Sequence, residues 1–172
     1  MLEYDLRPGR RTSATHNGQA QKGEIGMISN ILVAIDGSKP STQALEMAIE
    51  IAKRFDARLH LIHVVREMQL PPELQHFAEL ESVRGTRQDV LNTIGERLVN
   101  QGKRVAETNG VTSVESDIGT GDPANAIIGY ANRNGIDLIV LGSRGLGQVE
   151  GMLMGSVSRK VSNLATVPCM VV

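Results

Sequence analysis

Residues 136–158 read IDLIVLGSRGLGQVEGMLMGSVS. The apolar run Ile136 to Leu141 stops at Gly142, and Gly145, Gly147, Gly151 and Gly155 punctuate the segment after it. Val157, Val161 and Leu164 then resume an apolar pattern at helical spacing. A short, almost wholly apolar strand that feeds a loop and then a helix is the unit of a parallel, doubly covered α/β sheet. The loop also has chemistry of its own. Glycine lets a backbone turn tightly and approach a ligand. A helix N-terminus presents unpaired N–H groups and the positive end of the helix dipole. Ser156 and Ser158 add hydroxyl groups, and Arg144 adds a full positive charge. Together these parts describe an anion site, most naturally for a polyphosphate. A flexible surface loop capped by Ser156 would use the same residues, and glycine content does not choose between the two.

Outward from this unit the chain alternates. Asn30 to Asp36 (NILVAID) reads as a strand buried on both faces. Gly37 to Ser41 breaks it, with Ser38 or Lys39 preceding Pro40 at a first helical position. Leu45, Ala48, Ile49 and Ala52 recur at helical spacing, so a helix runs to about Arg54. Arg58 to Val65 (RLHLIHVV) is a second strand, and a loop broken by Pro71-Pro72 runs from Arg66 to about Glu81. Leu91, Ile94, Leu98 and Val105 mark one face of a long helix. Its Gly95 and Gly102 each cost up to about 1 kcal/mol relative to Ala. Val111 to Ile118 is a third strand. Asp122-Pro123 opens a helix with Asp as cap and Pro at the first position, and Ala124, Ile127, Ile128 and Ala131 form its apolar face. Ile136 to Leu141 is the fourth strand, and Pro168 to Val172 the fifth. The pattern β-α-β-α-β-α-β-α-β predicts an open parallel sheet with helices on both faces. It does not set the strand order.

Composition narrows the function. Of 172 residues, 18 are Lys or Arg and 19 Asp or Glu, a formal net charge of −1. That balance gives no electrostatic case for nucleic acid or an anionic membrane surface. No apolar run approaches the roughly 18 residues of a membrane span. Tyr4, Phe55, Phe77 and Tyr130 are the only aromatic residues, so any site works without stacking platforms. Cys169 is the only cysteine, which suits a reducing, cytoplasmic setting. Residues 1–27 are polar and aperiodic and read as a disordered N-terminal extension. Residues 28–172 form the domain.

Several chemistries fail on the residues present. The Walker A pattern is absent. Gly119 to Ala124 matches G-x-G-x-x-A, but Asp122-Pro123 explains it as a capped helix start. His60 and His63 lie on opposite faces of one strand and cannot share a metal from there. Cys169 reads as a small buried hydrophobe. Asp36 and Glu150 are the candidate bases for activating water, and neither has a clear partner. Asp36 alone, at a strand end before Gly-Ser, reads first as a turn or capping residue.

Gly142, Gly145, Gly155 and Ser156 fit G-x2-G-x9-G-[ST]. With ILVAIDGS at Ile31 to Ser38, LIHVV at Leu61 to Val65, IDLIVLGSRG at Ile136 to Gly145 and the terminal VPCMVV, the chain resembles the ATP-binding subset of the universal stress protein family. The likeness runs from about Asn30 to Val172. It implies an adenine nucleotide alpha-hydrolase-like sheet in the order 3-2-1-4-5, with a ligand crevice between strands 1 and 4. Carried over by position, Ala34, Ile35 and Asp36 would flank adenine and ribose, and the backbone of Val64 would meet the adenine edge. Gly142, Arg144, Gly145, Gly155, Ser156, Val157 and Ser158 would wrap ribose and phosphates. Within the resemblance Asp36 becomes a ligand-facing carboxylate. The family accepts varied residues at Arg144, so its role is less fixed than that of the glycines.

The expected function is that of an ATP-binding, nucleotide-dependent stress-response or regulatory protein, with Mg²⁺ arriving on the nucleotide and no metal site made by side chains alone. Homodimerisation through Val167 to Val172 is expected, because this segment is an apolar edge strand without a charged gatekeeper. Two alternatives stand beside it. One is a slow ATPase or an autophosphorylating enzyme with Ser156 or Ser158 as acceptor. The other is a structural dimer whose loop binds nothing.

Overall fold

The computed structural model describes residues 28–66, 83–147 and 153–172. The expected N-terminal extension, most of the loop after Arg66, and Glu150 lie outside them. Among the described residues, five strands alternate with four helices: β1 (Asn30–Ala34), α1 (Lys39–Phe55), β2 (Arg58–Val65), α2 (Val83–Thr108), β3 (Val114–Thr120), α3 (Pro123–Arg133), β4 (Leu138–Leu141), α4 (Ser156–Leu164) and β5 (Cys169–Val171). The strands form one sheet in the order β3-β2-β1-β4-β5. Every pairing is parallel, with Ile31 opposite Leu59 on one side and Leu138 on the other. β1 is central, and the chain reverses direction across the sheet between β1 and β4.

Alternate residues of each strand enter opposite layers, as the strand period of two requires. Ile31, Val33, Leu59, Leu61 and Val140 pack against α1 and α2. Leu32, Ile62, Ile139 and Leu141 pack against α3 and α4. Both faces of β1 and β4 are therefore dry, which is why these strands read as nearly unbroken apolar runs. The expected apolar stripe of α1 is buried in full, together with Ala44 and Ser41. Ser38 is its cap and accepts from the N–H of Ser41, so Pro40 stands at the second helical position rather than the first.

Two expectations need correction. In α2 the buried positions are Gly95, Val99, Gly102 and Ala106, whereas Ile94 is 48% exposed and Val105 is also exposed. The apolar stripe expected from Leu91 to Val105 is therefore not the inner face. Small residues let the helix lie close to the sheet: a Cβ at Gly95 would fall 2.8 Å from the His63 ring, and one at Gly102 3.2 Å from Ile35 and Leu61. The third strand begins at Val114, not Val111. The N–H of Val111 bonds back to Ala106 O at 3.1 Å, and Gly110 takes a φ of +93°, so Val111 closes the end of α2. Smaller differences are that β4 begins at Leu138, Leu164 is exposed, and Cys169 is half-buried.

Candidate nucleotide site

The carboxyl ends of β1 and β4 lie side by side where the strand order reverses, the usual ligand crevice of an open parallel sheet. Local chemistry shapes the loops there. Asp36 Oδ1 accepts from the N–H of Ser38 at 2.9 Å across Gly37, whose φ is +81°. Its Oδ2 accepts from the N–H of Leu146 at 3.1 Å. The loop after β4 is thus tied to the end of β1.

Gly142 and Gly145 have steric reasons to lack side chains. A Cβ at Gly142 would fall 2.6 Å from the carbonyl carbon of Pro40, in the first turn of α1. One at Gly145 would fall 2.5 Å from Asp36 Oδ2. The N–H of Gly155 donates to Ser143 O at 2.7 Å, and the buried hydroxyl of Ser158 donates to Gly142 O at 2.7 Å. These two bonds dock the start of α4 on the start of the loop. Gly142, Gly145, Gly155 and Ser158 therefore come together with Asp36 through contacts of the chain with itself.

The start of α4 differs from the other well-defined helix starts. Ser38 caps α1 and Asp122 caps α3 by accepting backbone N–H groups. The cap of α4 is Gly155, with no side-chain hydrogen bond, so Ser156 is the first helical residue and not the cap. The first-turn N–H groups of a helix have no acceptors within it. In α4 the first-turn residues Ser156 and Val157 line a cleft of about 410 Å³, together with Arg66, the turn from Gly121 to Ala124 and Lys160. Lys160 pairs with Asp122 at 3.0 Å across the cleft. The N–H of Asn125 and the Lys160 ammonium hold the Asp122 carboxyl below the usual carboxylate range. Arg66 and Lys160 were not singled out by the sequence. Lys160 had a readable signal, since it lies one turn after Ser156 on the same helix face. The turn at Asp122 does act as a helix cap, and it also forms one wall of the cleft.

The other expected residues divide between the layers. Ala34 and Val64 are half-buried and pack in the α3/α4 layer with Val157, on the cleft side. Ile35 points the other way, into the core with Leu45 and Leu61. Its N–H donates to Ile62 O at 2.9 Å and its carbonyl accepts from His63 Nδ1 at 2.8 Å, so both backbone groups are engaged. Arg144 is exposed. His60 and His63 do occupy opposite faces: His60 is 2% exposed against Tyr130, and His63 lies beneath Gly95. Among the described residues no cluster of three or more His, Cys, Asp or Glu could hold a metal ion. No helix among them is long and apolar enough to cross a membrane.

The sequence profile of the universal stress protein family matches residues 27–172. The chain is 35% identical over 154 residues to universal stress protein YxiE of Bacillus subtilis, covering 85% of this chain and 99% of that one. Its fold superposes on universal stress protein UspA from Lactobacillus plantarum with a TM-score of 0.76 and 27% identity, over 86% of this chain and 99% of that one. A universal stress protein from Archaeoglobus fulgidus, solved in complex with dAMP, shares the fold alone: TM-score 0.60 and 18% identity, over 85% of this chain and 98% of that one. Signature spacing, strand order and profile agree, and the chain belongs to the universal stress protein family.

Proposed function

We propose that this universal stress protein binds an adenine nucleotide, ATP with Mg²⁺, in the crevice between β1 and β4, and that binding rather than catalysis is its work. One observation carries the reading. The start of α4 lacks a side-chain cap and opens on a cleft flanked by Arg66 and Lys160. First-turn N–H groups without a side-chain cap, beside two cations, suit phosphate oxygens. Ala34 and Val64 offer an aliphatic surface to a base, consistent with the absence of Trp. The dAMP held by the Archaeoglobus fulgidus protein accords with this, though the likeness to that chain is one of fold. Mg²⁺ would take its ligands from phosphate and water, with Asp122 the one carboxylate lining the cleft among the described residues. Bound nucleotide would shift the ensemble toward the form in which the loop after β4 is held, changing a surface that partners meet.

Slow hydrolysis and autophosphorylation have weaker support. Both oxygens of Asp36 already accept backbone N–H groups, and the Ser158 hydroxyl is buried on Gly142 O. A cytoplasmic setting fits the single free thiol. Homodimerisation through the Val167 to Val172 segment is part of the proposal. β5 is an edge strand, with Met170 partly exposed and no charged residue among its three. Met170→Lys should then shift the protein to monomer in sedimentation, and an unchanged mass would refute pairing through this edge.

The test of nucleotide binding is Gly155→Asp. Gly155 has φ −70° and ψ 160°, which any residue can adopt, and a Cβ there meets nothing described closer than 3.4 Å. An aspartate would cap α4 and raise the melting temperature of the free protein. The same carboxylate would occupy the N–H groups and repel phosphate. ATP titrated by calorimetry should bind the variant at least about ten-fold more weakly. Equal affinity for both proteins would overturn the reading.

A further inference from the structure

We infer that Asp36 is a positioning residue: its carboxylate latches the loop after β4 to the end of β1 before any ligand arrives. The two segments are 110 residues apart in sequence and meet at one side chain. Oδ1 fixes the carboxylate on the Ser38 N–H at 2.9 Å, within its own turn, and this sets where Oδ2 points. Oδ2 then takes the Leu146 N–H at 3.1 Å.

The Leu146 side chain cannot hold the loop in place, because it is 72% exposed. Its backbone N–H is what is held. The absence of a Cβ at Gly145 is the other half of the device, since that atom would fall 2.5 Å from the same oxygen. A second close approach, Gly142 against the Pro40 backbone, fixes the near end of the loop. Two of the four signature positions thus have a duty within the chain, and Asp36 is the partner of one of them. The benefit of the latch rests on the nucleotide reading, because a loop already held costs less to order on binding. Its existence does not rest on that reading.

Amide hydrogen exchange on the nucleotide-free full chain tests the latch, with Asp36→Ala, Asp36→Asn and Gly145→Ala beside the wild type. Losing a carboxylate acceptor should speed exchange of the Leu146 amide by roughly 10- to 100-fold. Gly145→Ala should do the same by displacing the oxygen. The Asp36→Ala, Gly145→Ala double variant should match either single one, because both break one contact. Asp36→Asn keeps one acceptor oxygen and should fall between. Core amides of Leu32 and Val33 should stay protected throughout.

Unchanged Leu146 exchange in Asp36→Ala and Gly145→Ala would overturn the latch. Equal acceleration at Leu32 and Val33 would overturn it too, since Asp36 would then support the whole fold and not the loop. None of these readings needs nucleotide, so failure of the latch and failure of nucleotide binding are separable. Where ATP binds the wild type, the latch variants should lose affinity in step with lost protection. A variant that lost affinity with full Leu146 protection would place Asp36 against the ligand and end its positioning role.

Discussion

A single methyl group at Gly142 would meet the backbone of Pro40 at 2.6 Å, and backbone cannot swing aside as a side chain can. Gly142→Ala should therefore destabilise the free protein by about 1–3 kcal/mol, read from the urea midpoint. Ser158 has a comparable duty. Its buried hydroxyl is the donor to Gly142 O, so Ser158→Ala should cost about 1–2 kcal/mol, also without nucleotide. The sequence picked out both residues, Gly142 by its spacing and Ser158 as a first-turn hydroxyl and by the family resemblance, but for a ligand. It could not show that Pro40 crowds Gly142 or that Gly142 O accepts from Ser158, because each contact joins segments brought together only by the fold. The same blindness hid Arg66 and Lys160, which become neighbours once β2 and α4 are placed. Ile35 shows the converse. The family resemblance suggested a ligand role, yet the strand period turns its side chain into the opposite layer.

Element by element, the strands were more legible than the longest helix. β1 and β4 are recognisable because burial on both faces leaves a nearly unbroken apolar run, and β2 keeps such a run but for its two histidines. α2 misleads because its inner face is built from small residues, and its larger apolar residues face outward or lie half-buried. Helix propensity alone would have Gly95→Ala stabilise α2 by up to about 1 kcal/mol. The new Cβ would instead press on the His63 ring, 2.8 Å away, and strain its bond to Ile35 O. Gly95→Ala should thus lower the melting temperature, whereas an alanine at an exposed helix glycine would raise it. The start of β3 was misplaced for a related reason. Val111 is buried and β-branched like a strand residue, but its N–H belongs to the end of α2.

For the molecule as a whole, alternating apolar runs gave the two-layered α/β class, whereas the strand order came with the family resemblance. One buried group also gives the fold a pH dependence. His60 lies between Tyr130 Oη at 3.1 Å and Asn30 Oδ1 at 3.4 Å, with Glu115 and Arg58 nearby. Burial lowers its pKa below the ordinary 6.5, with Glu115 opposing that shift and Arg58 adding to it. The unfolded chain then binds more protons than the folded one at pH values below 6.5. Stability should fall as pH drops from 6.5 toward the folded pKa, and stay flat with respect to this group above 6.5. Urea midpoints taken between about pH 7.5 and 5.5 check this, and His60→Gln should flatten the slope.

The central position of β1 also constrains how the chain is made. β1 hydrogen-bonds to β2 on one side and to β4 on the other, and Ile31, Leu32 and Val33 are wholly buried only when both are present. On the ribosome, β1 and β2 emerge early, while Leu138 to Val140 follow after more than half the chain has been added. Until then one edge of this apolar strand stands open, as a template for any other nascent chain with a free strand edge. The chain would thus pass through its most aggregation-prone stage during synthesis, before β4 arrives to cover that edge.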